Sequence, residues 1–253
     1  MGFVKTPSEI RAIEARLKNP QFLNARVVQV QFDSEPDFIH SVLPLPLEPT
    51  DTPTIFARIG RWQSNCVGDF AGAGIYVSAR HGDTVGVYVL AMYMDSDSAV
   101  IFGRETFGEP KKMAEVHFEK SPRTVAGSIV RHGVELIAIS AELGDDLGMS
   151  QGTSWAFNIK SWTAANGVGL EGDALLTATR FDSTLTTNIA CAGTLRLAST
   201  VHDPLGDITV KRINQVRYYE GDHSTASKVV AQIPADTFLP YAYGRNDDWS
   251  AAF

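Results

Sequence analysis

The chain has 253 residues, 44% hydrophobic and 20% charged, with 21 glycines and 12 prolines. That is the composition of a globular protein, not of a disordered, collagenous or coiled-coil one. Its 22 Lys and Arg against 29 Asp and Glu leave a formal charge of -7, a surface that repels phosphate backbones, so nucleic acid is not an expected partner.

Thr6-Pro7-Ser8-Glu9 forms a capping box with proline at the first helical position, and it predicts a helix whose stripe carries Ile10, Ile13 and Leu17. Asn19-Pro20 ends it. Val28, Val30 and Phe32 then alternate with Gln29 and Gln31, the pattern of a half-buried strand. After a proline-rich stretch from Pro44 to Pro53, strand character resumes from Ile55 to Trp62. His81-Gly82-Asp83 predicts a turn feeding a buried strand from Val85 to Met94, and His132-Gly133 a hairpin turn between Thr124–Arg131 and Val134–Ala141. Further strands are expected at Trp155–Lys160, Ala174–Phe181, Gly193–Thr200 and Thr209–Tyr219, and a short helical turn at Asp236–Tyr241.

Many strands and few helices predict an α+β, mostly β fold centred on a β-barrel with small helices attached, all in one domain over residues 1–253. Strand edges need covering, so a homo-oligomer is expected. The longest apolar run, Val85 to Met94, is about half of the roughly 20 residues that cross a bilayer, so no membrane span is expected. Two cysteines, Cys66 and Cys191, make no disulfide framework, and the first residues do not resemble a secretory signal. A reduced, cytoplasmic protein is the expectation.

Several chemical signatures are missing. Gly72-Ala73-Gly74 lacks the later glycine and helix of a dinucleotide loop, and no phosphate loop or serine elbow occurs. The six histidines are scattered, and Asp222-His223 and His202-Asp203 lack a third zinc ligand. No metal and no cofactor is expected.

The segment Gly103-Arg104-Glu105-Thr106-Phe107-Gly108-Glu109-Pro110-Lys111-Lys112-Met113 follows two apolar strands. Pro110 fixes its own φ and biases Glu109 toward extended backbone. In an extended stretch Glu109 and Lys111 share one face and Lys112 takes the other. If Lys111 faces the barrel interior, desolvation disfavours its ammonium and leaves free base to attack ketones. From the residues alone, this buried amine and a solvated lysine pair on a turn both stay open.

That segment resembles the signature of the acetoacetate decarboxylase superfamily: Gly-Arg-Glu, a short aromatic-containing spacer, then Pro-Lys-Lys. Val42-Leu43-Pro44-Leu45-Pro46-Leu47-Glu48 is similar to the family's early Leu-Pro-x-Pro-Leu, and Tyr93-Met94-Asp95 precedes the signature at the family spacing. Asp203-Pro204-Leu205, with Ile208 and Val210, is similar to the late Pro-Leu…Ile-Pro-Val segment. Imine formation by a desolvated or cation-flanked lysine has acetoacetate decarboxylase itself as its standing example. The resemblance implies Lys111 as the Schiff-base residue and Lys112 as its electropositive neighbour. Because Lys112 points away, desolvation is expected to outweigh it.

The chain departs from the decarboxylase pattern where that enzyme carries acids. Its two active-site glutamates fall, in register, on Gly60 and within Gly72 to Ile75, and its substrate-facing arginine falls at Ala25, with Arg26 one position off. A new acid, Glu109, stands where decarboxylases carry an aromatic. Losing carbon dioxide into an iminium needs no base at the α-carbon, whereas aldol addition and dehydration need a proton shuttle within hydrogen-bond reach. Glu109, held protonated by burial, is expected to be that shuttle.

The resemblance therefore implies the superfamily branch that condenses pyruvate with aldehydes and dehydrates the adduct, with a small oxo acid and an aldehyde as partners. A decarboxylase of β-keto acids and a non-catalytic barrel holding a carbonyl ligand are the alternatives. Candidate catalytic residues are Lys111, Glu109 and Tyr241, the last offering a phenol to orient a carbonyl or carboxylate. Tyr76 offers the same group. Arg104 and Glu105 are expected to pair beneath the lysine turn, Phe107 to form wall, and Lys112 to support.

Overall fold

The computed structural model describes residues 2–245. Helix α1 (Pro7–Leu17) starts on the capping box, with Thr6 Oγ1 accepting from the Glu9 N–H and Glu9 accepting from the Thr6 N–H. Its apolar stripe covers no core of this chain: Ile10, Ile13 and Leu17 are all exposed. Then follow β1 (Gln21–Asp33), α2 (Pro36–Val42), β2 (Glu48–Pro49), β3 (Thr54–Ser64), β4 (Gly68–His81) and β5 (Thr84–Met94). Helix α3 (Asp97–Phe102) runs into a π-turn at Gly103–Phe107, followed by β6 (Lys111–Met113), β7 (Glu115–Lys120), β8 (Thr124–Arg131) and β9 (Val134–Asp146). The rest comprises β10 (Ser150–Lys160), β11 (Ala174–Leu197), β12 (Ser199–Thr200), β13 (Asp203–Pro204), β14 (Arg212–Ile233) and α4 (Ala235–Gly244).

Seven strands close a barrel in the order β10-β5-β4-β3-β1-β14-β11, with β11 pairing back to β10. Closure is antiparallel except where β10 meets β5 through Ala156↔Val87 and Phe157↔Tyr88. The far half of β11 leaves the barrel and pairs with β9, so β9, β8 and β7 extend the same sheet and lie back against β1, β3 and β4.

This folding-over gives the barrel wall two buried faces. Val28, Val30 and Phe32 of β1, with Ile55, Ala57 and Ile59 of β3, pack outward against Ile129, Ile137 and Ile139 of the covering sheet. The alternate residues point into the barrel: Ala25, Val27, Leu185 and Tyr219 cluster there, as do Phe70, Tyr76, Val89, Met92, Met94 and Ala156. The polar partners in the β1 alternation therefore meet the barrel interior and not solvent, and Gln29 is only 4% exposed.

Three elements exceed what local pattern predicts. Strand β4 carries Gly68, Gly72 and Gly74, residues depleted in strands, and they mask a 14-residue element. The expected strands Ala174–Phe181 and Gly193–Thr200 merge largely into the single 24-residue β11. Its polar middle, Asp182 to Asn188, lies where the strand passes from barrel to covering sheet, with a bulge between Leu185 and Thr187. Strand β14 likewise runs past Tyr219 to Ile233, and the turn at Asp236–Tyr241 is the first part of α4.

Candidate active site

The site begins in the backbone after α3. The Gly108 N–H donates to the Arg104 carbonyl at 3.2 Å and the Glu109 N–H to the Gly103 carbonyl at 3.1 Å. Gly108 ends the turn at φ 79°, a left-handed conformation that favours glycine. Pro110 has no N–H to give, and the Lys111 N–H bonds back to the Glu109 carbonyl at 2.9 Å. The chain then enters β6, which pairs in parallel with β5 through Met92↔Lys111 and Tyr93↔Lys112. Since Met92 belongs to the interior cluster and Tyr93 to the outer core, Lys111 points into the barrel and Lys112 out of it.

Inside, Lys111 Nζ lies 2.8 Å from Glu109 Oε2, with the two side chains 5% and 8% exposed. Oε2 has no aligned hydrogen-bond donor among the described residues. Nζ also sits 5.8 Å from the Phe70 ring centroid. Gly103 forms the floor: a Cβ there would stand 2.5 Å from Lys111 Cδ and 2.7 Å from Cε, and would meet Glu109 Oε2 as well.

Outside, Lys112 Nζ is 2.9 Å from Asp203 Oδ1 and donates to the His202 carbonyl at 2.9 Å. Asp203 also accepts from the Tyr93 hydroxyl at 2.9 Å and from Arg131 Nε at 3.0 Å. Burial pushes the Lys112 ammonium below the usual lysine value, the Arg131 and Arg104 charges add to that, and Asp203 opposes it. Burial raises the Asp203 carboxyl, but the Lys112 and Tyr93 hydrogen bonds and the Lys112 and Arg131 charges outweigh it and hold the group low. Lys112 thus faces away from Lys111 and is paired with Asp203, which it shares with Arg131.

The other sequence candidates divide. Tyr76 lies inside the barrel; burial pushes its phenol up, the Arg58 charge opposes this and the Glu109 charge adds to it. Phe107 is buried, edge-on to Phe102 at 5.3 Å, and its carbonyl accepts from Thr177 Oγ1 at 2.7 Å. Arg104 supports the lysine segment differently from expectation: its guanidinium donates to the Lys111 carbonyl at 3.1 Å and the Arg245 carbonyl at 3.4 Å, while Glu105 is exposed. Glu105, Arg104 and Glu109 border a cavity of about 160 Å³ together with Trp162 and Arg245. Tyr241 stacks on Phe238 at 6.0 Å and points its hydroxyl at the Leu43 carbonyl, 3.5 Å away. The structure does not bring Tyr241 into contact with the Lys111–Glu109 pair.

Sequence reasoning missed the opposite wall. Arg58 Nε donates to Gln29 Oε1 at 2.7 Å, and its guanidinium lies 4.6 Å over the Tyr76 ring. Arg217, paired across strands with Gln29, lies 5.5 Å over Tyr219. His223 Nδ1 is 2.7 Å from Ser183 Oγ, and burial together with the Arg58 charge pushes its imidazole down to about 4, Asp222 opposing. The available signal was parity: Arg58 alternates with Ala57 and Ile59, and Arg217 with Val216 and Tyr218. Ala25 is buried in the interior cluster and Arg26 is exposed, so no arginine stands at that position of the wall.

The arrangement brings a lysine nitrogen and a carboxyl group to 2.8 Å, both screened from water. Among the described residues no three His, Cys, Asp or Glu side chains converge as a metal site requires, and no helix is long and apolar enough to cross a membrane.

Comparison with known proteins adds to this geometry. The family model for acetoacetate decarboxylase matches residues 5–233. The acetoacetate decarboxylase of Paraburkholderia phytofirmans is 28% identical over 109 residues, and the match covers 43% of each chain, less than half the length of that relative. Among solved structures, the acetoacetate decarboxylase of Legionella pneumophila superposes with a TM-score of 0.76 at 22% identity, covering 84% of this chain and 87% of that one. The enduracididine biosynthesis enzyme MppR, complexed with the condensation product of pyruvate and imidazole 4-carboxaldehyde, gives 0.73 at 15% identity, covering 83% and 88%. At these identities the structural likeness speaks for the fold.

Proposed function

The chain belongs to the acetoacetate decarboxylase family, and from that premise we propose that it is a lyase working through an imine on Lys111, condensing pyruvate with an aldehyde and dehydrating the adduct, or running the reverse. The observation that carries this reading is the buried Lys111–Glu109 contact at 2.8 Å. A proton passed across it turns an ion pair into an amine and a carboxylic acid with no change in net charge. The amine attacks the keto carbon of pyruvate, and the oxygen leaves as water. The carboxylate then takes a methyl proton from the iminium, giving the enamine, and the enamine carbon bonds to the aldehyde carbon. Glu109 returns the proton to the new alkoxide, takes one of the two protons left on the former methyl carbon and passes it to the hydroxyl, which leaves as water; a second water then hydrolyses the imine, releasing the lysine amine and returning a proton to Glu109.

Three features support condensation over simple decarboxylation. The inward positions Gly60 and Gly72 carry no acid, Glu109 supplies one beside the amine, and MppR, of related fold, holds a condensation product of pyruvate and an aldehyde. The relatives named acetoacetate decarboxylase favour a second reading, loss of carbon dioxide from a β-keto acid on the same lysine.

Borohydride reduction in the presence of pyruvate tests the shared step: a stable mass addition is expected on Lys111 and is expected to vanish in Lys111→Ala. Pyruvate with an aromatic aldehyde is then expected to develop the absorbance of a conjugated product. Failure across several aldehydes, with carbon dioxide released from acetoacetate at a catalytic rate, would establish the second reading instead.

A further inference from the structure

Four residues of successive strands stand in one register row: Arg58 of β3, Gly74 of β4, Met92 of β5 and Lys111 of β6. The row continues on the other side of Arg58 to Gln29 and Arg217. Three strand spacings, roughly 14 Å along the wall, separate the Arg58 and Lys111 backbones. Both side chains leave a closed, curved wall inward, so their tips approach more closely than their backbones. Gly74 puts no side chain between them, and the Tyr76 ring occupies that space.

The Arg58 guanidinium is held at one edge and on one face. Nε is held by Gln29 at 2.7 Å and the plane rests on Tyr76 and Phe56 at 4.6 and 5.7 Å from the ring centroids. No described residue accepts a hydrogen bond from either terminal amino group, and no described carboxylate ion-pairs with Arg58. Arg217, two strands along, has a buried Nε without a partner. Two half-buried guanidinium groups with no described carboxylate at ion-pair distance make this wall positive, an arrangement that an anion relieves. Glu109, the acid on the far side of Tyr76, is already at ion-pair distance from Lys111.

We propose that Arg58 is the carboxylate anchor of the Lys111 site, its free amino edge receiving a carboxylate of the oxo acid whose keto carbon the lysine attacks. This rests on the imine reading given above. A planar fork held at Nε presents two parallel N–H donors to one carboxylate. The bound class is then a 2-oxo acid, the anchored group being its α-carboxylate or a distal one.

Borohydride trapping on Lys111 separates these cases. Half-saturating concentrations are measured for pyruvate, for 2-oxoglutarate and for methyl pyruvate, which keeps the ketone and lacks the charge. In Arg58→Gln the requirement for the acids is expected to rise about 10- to 100-fold, as loss of a charge-assisted contact implies, with methyl pyruvate within about twofold of the unchanged protein. A rise for both acids identifies the α-carboxylate, and a rise for 2-oxoglutarate alone a distal one. Equal shifts for all three compounds, or none, would overturn the assignment of Arg58 alone. No labelling of the unchanged protein by any of them would overturn the imine reading itself, and this inference with it. Arg58→Met, which keeps an unbranched stem against Tyr76, serves as the second variant if the glutamine protein does not fold, under the same criteria.

Discussion

Replacing Gly103 by alanine separates folding from chemistry at the lysine. The backbone there is right-handed helical, φ -67° and ψ -41°, so alanine is conformationally at ease and gains roughly 0.5–1 kcal/mol over glycine. Its methyl, however, lands 2.5 Å from Lys111 Cδ and 2.7 Å from Cε, and on Glu109 Oε2. All three atoms are in the outer parts of side chains, which yield before backbone does, so overpacking is expected at the low end of about 1–3 kcal/mol. The net loss is then no more than about 2 kcal/mol, a fall in Tm of under roughly 8 °C for a chain of this size. Displacement of the amine by about 1 Å, in contrast, is expected to slow imine trapping by about 100-fold. The assay pairs a thermal melt with time-resolved borohydride labelling by pyruvate. A folded Gly103→Ala protein that labels at the unchanged rate would refute the argument, because it would mean that Lys111 has room the structure denies it.

Glu109→Gln keeps the shape of the side chain and removes its proton traffic; labelling of Lys111 by pyruvate is expected to persist while condensation with an aldehyde falls about 10²- to 10⁴-fold, and loss of labelling to the same degree would contradict the shuttle. Asp203→Asn leaves Lys112 and Arg131 as buried cations without their acid, a loss of about 3–5 kcal/mol visible as a lower Tm at neutral pH. Because the folded Asp203 carboxyl is held low, its contribution is present above the unfolded carboxyl value and disappears as pH falls through the folded one, so the Tm gap between the two proteins should close in acid; a gap that stays constant down to the acid limit counts against the pairing. His223 has the same sign for a different reason: the folded imidazole is pushed down from 6.5 to about 4, so the unfolded chain takes up the proton first and stability falls as pH drops from about 6.5 toward 4. In His223→Gln that part of the pH slope should vanish, and an unchanged slope of Tm against pH would show that the imidazole is not buried as described.

What lay within a dozen residues was legible. The opposite pointing of Lys111 and Lys112, and the shared face of Glu109 and Lys111, follow from backbone alternation alone, and the structure shows both. The helix cap at Thr6 is equally local. Arg58, Gln29, Arg217 and His223 were out of reach because their meeting depends on strand order and register over nearly 200 residues. In β1 the alternation is visible but its polar face reads as solvent-facing, since nothing local announces that a sheet closes on itself. Glycine content concealed β4, and a polar middle divided β11 on paper where the strand is continuous. Tyr241 offers a hydroxyl by sequence, but its ring stacks on Phe238 and its hydroxyl faces the Leu43 carbonyl.

Strand β6 is three residues long, too short for its main-chain bonds to resist sliding along β5. Twin lysines supply what length does not. Shifted by one residue so that Lys112 took the place of Lys111 opposite Met92, the strand would turn Met113 toward Asp203 and leave that carboxylate short of one of its two cations, away from water. The second lysine therefore acts as a key cut for one seating only: it stays outside the barrel, yet it decides which neighbour points inside.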